Sequence, residues 1–166
     1  EPQASESFRV RARDALENVR DQGMNDPSLD AALATIYQVE NPDRAVELGQ
    51  LALKSPALTP KIRLRALEAV AKAQINARRT QDALSPLGFL VGLRRQAADW
   101  YLLSVCRYQG GDIPGALAAA ESAAKIRPDN LRVYQLLAEL YRHNNQPERA
   151  AEVEARAAKI AAARPN

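Results

Sequence analysis

With 166 residues, 46% of them hydrophobic and 26% charged, the chain has apolar content enough to bury a core, and room for one domain or four to five small repeat units. Aromatics are only 5%, which favours closely packed alanine- and leucine-rich helices over a sheet, and no apolar run approaches the roughly 18–20 residues of a membrane-spanning helix. The lone cysteine, Cys106, excludes an internal disulfide, and the formal net charge of +3 conceals an uneven distribution along the chain.

The chain begins at Glu1 without a methionine or a signal-peptide pattern, and reads as a processed product or an excised fragment. Its opening, EPQASES, is polar, contains a proline and reads as a linker tail. Residues 5–23 place Phe8, Val10, Ala12, Ala15, Leu16 and Val19 on roughly one stripe, which predicts a helix, either a cap or the second half of a repeat. Asp26-Pro27 joins a capping residue to a proline at the first helical position, so a helix starts there and continues through Leu29, Leu33, Ile36 and Tyr37. Asn41-Pro42-Asp43 is the predicted turn, and Arg44 to Lys54 the partner helix, with Ala45 at its small position. After the longer loop Ser55–Thr59, Thr59-Pro60 repeats the start signal. The helix that follows carries Leu64, Leu67, Val70, Ala71 and Ile75, and its partner carries Ala83, Leu87, Leu90 and Leu93. Pro86 and Gly88 lie inside that partner. An interior proline removes a backbone donor at a cost of about 3 kcal/mol, so a kink or a helix restarting at Ser85-Pro86 is expected.

Ala83, Ala116 and Ala150 then expose a period of 33 to 34 residues. Its clearest copy, Ala97 to Asn130, carries Trp100, Leu103, Tyr108, Gly111, Asp112, Ala116, Ala123 and Pro128. The next copy has Tyr134, Leu137, Ala138, Tyr141, Ala150 and Ala157 on the same frame. This pattern resembles the tetratricopeptide repeat (TPR): an aromatic at the fourth position, glycine in the inter-helix turn, a small residue at the twentieth and proline at the end. The copy over 59–96 departs from the family, with Arg78-Arg79 where glycine and aspartate are usual, and the one over 131–166 has Asn145 for the turn glycine. The resemblance implies an all-α fold, a right-handed superhelical array of antiparallel helical hairpins. It assigns 1–25 to a tail and N-terminal helix, 26–58 to a degenerate hairpin, and 59–96, 97–130 and 131–166 to three further hairpins of one domain. The hairpin helices approach closely where the eighth and twentieth residues meet, so Ala71 and Ala83, Ser104 and Ala116, and Ala138 and Ala150 must be small; a larger residue overpacks.

No catalytic set is visible. The only histidine, His143, reads as a solvated helix-end residue beside Asn144 and Asn145, and Cys106 as a buried, inert core residue. Gly110-Gly111 follows a helix and lacks the lysine and serine of a phosphate loop, so it reads as the repeat's turn; Trp100 reads as core. One histidine and one cysteine do not make a zinc site, so neither enzyme activity, cofactor nor metal is expected.

Stacked hairpins present a groove, and function is expected there. In the TPR family the concave surface is lined by the second, fifth, ninth, twelfth and thirteenth residues of each first helix. On this frame these are Arg65, Glu68, Lys72, Ile75 and Asn76, then Ala98, Tyr101, Val105, Tyr108 and Gln109, then Arg132, Gln135, Glu139, Arg142 and His143. Tyr37 and Gln38 sit at the corresponding end of the first hairpin. The candidate groove residues are therefore Arg65, Lys72, Asn76, Tyr101, Val105, Tyr108, Arg132, Gln135 and Arg142: an aromatic, apolar floor flanked by cations. The implied partner is a protein or peptide, acidic and with an apolar anchor. The carboxylate clamp that holds chaperone C-termini is not reproduced, since its positions here read Glu68, Lys72, Tyr101 and Val105. Residues 1–60 sum to −4 and residues 61–96 to +6, a contrast that either steers an acidic partner or reflects arginines solubilising an outer face. The alternative function is a structural or self-associating module, a homodimer, motivated by the apolar stripe of the N-terminal helix and the alanine-rich Ala150–Ala163. Nucleic acid is disfavoured because aromatics are few and no side-chain code is visible. Eighteen arginines against five lysines hint at a GC-rich bacterial genome, and leave cytoplasm and periplasm equally open.

Overall fold

The computed structural model describes residues 2–163, with the side chains of residues 6–163. Among these residues there are nine helices and no strand: α1 (Pro2–Asp21), α2 (Pro27–Glu40), α3 (Pro42–Lys54), α4 (Pro60–Asn76), α5 (Thr80–Leu93), α6 (Ala97–Gln109), α7 (Ile113–Ile126), α8 (Leu131–His143) and α9 (Pro147–Ala162). They form two compact units, Glu1–Pro86 and Leu87–Asn166, so the division falls inside α5.

In the first unit, α2 and α3 pair as a hairpin, α4 packs on both, and α1 lies against α2. Local chemistry sets the starts. The Asp26 carboxylate accepts from Ser28 N at 2.6 Å and Thr59 Oγ1 from Ile62 N at 3.3 Å, each ahead of a proline at the first helical position. The turn between α2 and α3 is Asn41 alone, not Asn41-Pro42-Asp43, because Pro42 opens α3 and Asn41 caps both helices. Its backbone N–H donates to Tyr37 O, and its side chain accepts from Arg44 N. Leu29, Leu33, Ala34, Leu48 and Ala69 form a core on which Leu16, Val19 and Tyr37 pack. Gly49 is needed here, since a Cβ would collide with the Val70 side chain from α4.

α1 differs from the sequence reading: it is helical from Pro2, so residues 2–7 are not a linker, while Glu1 lies outside the described residues. Proline at a first helical position loses no hydrogen bond, because that N–H has no partner within the helix. Polar links tie α1 down. Tyr37 Oη donates to Glu17 at 2.9 Å, Arg20 pairs with Asp30 at 3.2 Å, and Arg13 reaches Glu40 at 3.2 Å.

At α5 one of the two expected outcomes, a restart, is removed. The helix runs unbroken through Pro86 and does not restart there, with Ala83, Leu87 and Leu90 buried. Burial on both sides of the proline holds the helix together despite the missing donor. Leu93, expected to pack, is 53% exposed.

In the second unit, α6 pairs with α7, α7 packs on α8, and α8 pairs with α9. The core joins Ala116, Leu117, Ala120 and Ala123 of α7 to Val133, Leu137, Leu140 and Tyr141 of α8, with Trp100 packed against it. Ser104 Oγ donates to Ala116 O at 2.8 Å, so the two small positions of this hairpin touch. Three inter-helix turns share one hydrogen-bond pattern, that of a Schellman cap. Arg79 N donates to Gln74 O, Asp112 N to Arg107 O, and Gln146 N to Tyr141 O. The preceding residue is left-handed each time: Arg78 (φ 59), Gly111 (φ 82) and Asn145 (φ 54). Replacing the usual glycine by arginine thus leaves the turn intact at the cost of backbone strain.

Candidate partner-binding surface

Tyr101, Val105 and Tyr108 lie on α6 at helical spacing, each half-buried against the core of the second unit. Tyr108 spans to α8. Its hydroxyl donates to Glu139 Oε1 at 2.7 Å, and its ring meets His143 edge-on with centroids 5.4 Å apart. The bond to Glu139, with some burial, raises the Tyr108 pKa above its ordinary value, so the phenol stays a donor. Arg132 and Gln135 are exposed on α8, and among the described residues Arg132 has no ion-pair partner. Arg142 is engaged instead with Glu154 of α9, inside its own hairpin.

In the first unit, Arg65, Lys72 and Asn76 lie along α4. Lys72 is paired with Glu68 at 2.7 Å, one helical turn away, and Asn76 Nδ2 donates to Gln38 O at 2.8 Å, stitching α4 to α2. Arg65 is exposed.

The residues set aside from chemistry are placed as follows. Cys106 is fully buried, and burial pushes its thiol up to about 11, away from the thiolate that nucleophilic work needs. His143 is exposed at the end of α8, with the Tyr108 ring for a neighbour.

Two clusters escaped the sequence reading. Arg94, just past α5, makes a bidentate pair with Asp99 in the first turn of α6, at 2.7 and 2.8 Å, with Asp99 almost fully buried. Tyr141 donates to Glu121 at 2.6 Å while Arg149 covers its ring at 4.4 Å. Burial, then that bond to Glu121, pushes the Tyr141 hydroxyl up to about 12. A signal existed. Glu121 precedes Tyr141 by twenty residues, as Glu17 precedes Tyr37, and both pairs bond. The shared spacing gives α1 the register toward α2 that α7 has toward α8, that of the second helix of a repeat.

The comparisons with known proteins agree with this geometry. Residues 107–166 match the family model of the tetratricopeptide repeat. No curated protein matches the sequence. Among solved structures, a crystal structure of MamA superposes with a TM-score of 0.83 at 19% identity, covering 96% of this chain and 92% of that one. MamA from Desulfovibrio magneticus RS-1, residue 41 to the end, gives 0.84 at 18% identity over 95% and 88%. MamA AMB-1 gives 0.83 at 17% identity over 99% and 88%. Identity this low carries the fold and nothing further. Residues 107–166 are thus tetratricopeptide repeat in sequence, and the chain has the TPR-like fold of an α-helical repeat protein.

Proposed function

We propose that the chain is a non-catalytic scaffold that holds a peptide or partner segment against the first helices of its hairpins. One observation carries this reading: Tyr101, Val105 and Tyr108 form a half-exposed aromatic and apolar strip on α6, tied at one end to α8, with Arg132 and Gln135 exposed on that helix. Tyrosine and arginine carry interface energy more often than most residue types, because they bury large area at low conformational cost. An acidic segment with an apolar anchor suits the strip and Arg132. The first unit offers a smaller polar surface of its own, where Arg65 is the open cation and Lys72 and Asn76 are already engaged.

The test is affinity capture from the native source with wild-type protein beside a Tyr101→Ala/Arg132→Glu variant, both checked for an unchanged helical melt. A partner held by wild type and lost by the folded variant supports the strip as the working surface. The same proteins captured by both overturn it.

A second reading, self-association, is favoured by Phe8, which stands 70% exposed on α1. Molar mass in solution decides it. A dimer that dissociates on Phe8→Ser supports this reading, and a strict monomer removes it.

A further inference from the structure

Away from Tyr101, Val105 and Tyr108, the second unit has an open cleft of about 410 Å³ where the end of α5 meets α6 and α7. Trp100 and Ile126 give it an apolar floor, Leu93 an apolar lip, and Arg95 and Lys125 stand at its rim. No carboxylate lines it. Of the acids beside it in the chain, Asp99 is buried and bound to Arg94, and Glu121, one turn before Lys125, is bound to Tyr141 and Arg149, whereas Arg95 and Lys125 are exposed and have no ion-pair partner among the described residues. The apolar character continues outside: Phe89, one turn before Leu93 on the same face of α5, is 61% exposed. Large side chains so exposed are costly to solubility, and beside two uncompensated cations they describe half of an interface.

We propose that this cleft is a docking site for a short acidic protein segment with one apolar anchor. The anchor lies against Trp100 and Ile126, and the carboxylates meet Arg95 and Lys125. The site shares no residue with the α6–α8 strip, so the two surfaces stand or fall separately.

Trp100 is the chain's only tryptophan, and its emission reports on this cleft directly. The probe is the peptide DEDLFDE, which carries no tryptophan, with KKKLFKK as the charge-reversed control. The expected result is a saturable blue shift of Trp100 emission with the acidic peptide alone, weakened by salt. Affinity should fall at least about tenfold in Arg95→Glu/Lys125→Glu, as expected when two complementary charges are reversed. Gly92 lies in the cleft, and a Cβ added there meets no neighbouring atom, so Gly92→Glu blocks the site without disturbing packing and should abolish the shift. Tyr101→Ala should leave it unchanged. No response to DEDLFDE, equal binding of both peptides, or undiminished affinity in the folded charge-reversed variant overturns the proposal. A Trp100 shift that grows with protein concentration alone and vanishes in Gly92→Glu overturns it in favour of a second copy of this chain. Binding of phosphatidylserine vesicles through the same residues, without peptide binding, overturns it in favour of a membrane surface.

Discussion

Helices α5 and α7 hold the same place in their hairpins and carry alanine at the same frame position, Ala83 and Ala116, both fully buried. Beyond that they diverge. α7 buries Ala116, Leu117, Ala119, Ala120 and Ala123 and turns Pro114, Ala118 and Lys125 outward. α5 buries Ala83, Leu87 and Leu90 but leaves Phe89 and Leu93 exposed, with Gly88 and Gly92 beside them. The contrast separates two duties of one element. Small residues on the inner face fix how closely helices approach, and the outer face is free to vary. α7 leaves its outer face bland, and α5 makes its own apolar at the expense of helix propensity.

Five substitutions break or sharpen this contrast. The largest effect is expected where α5 hands over to α6: Asp99→Ala removes an almost fully buried carboxylate that takes two hydrogen bonds from Arg94 and should destabilise by about 3 kcal/mol, read by denaturant midpoint. Next comes the inner face of α7. Ala116→Leu places a large side chain where Ser104 touches the backbone of residue 116, and should cost about 1–3 kcal/mol; an unchanged melt would undo the assigned repeat frame. On the outer face of α5 the sign reverses. Gly88→Ala adds a Cβ that meets nothing and should stabilise by about 0.5–1 kcal/mol, whereas alanine at Gly49, against Val70, should destabilise. The smallest effect belongs to the turn entering α5. Arg78→Gly removes the left-handed strain at φ 59, but glycine also frees the unfolded chain, so a gain of about 0.5 kcal/mol remains.

Much of the fold is legible because its signals are local. Asp26-Pro27 and Thr59-Pro60 mark helix starts through side chains that cap within three residues, and the period picks out Ala83, Ala116 and Ala150, all three buried. The readings that failed needed non-local information. Whether Pro86 restarts a helix depends on what holds Leu87 and Leu90, and whether residues 2–7 are a tail depends on whether the helix of residues 8–21 extends back through them. For the surface, helical spacing brings Tyr101, Val105 and Tyr108 together on one helix. The engagement of Arg142 with Glu154, and of Tyr108 with Glu139 and His143, is set by the angle between neighbouring helices, which periodicity does not encode.

Asn41 has a practical consequence. A single residue closes one helix with its backbone and opens the next with its side chain, so the α2–α3 joint has no slack. The five-residue Ser55–Thr59 loop leaves more chain between its helix ends, and an epitope tag belongs there. Spliced in at Asn41, the same insert has to unwind a helix end to fit.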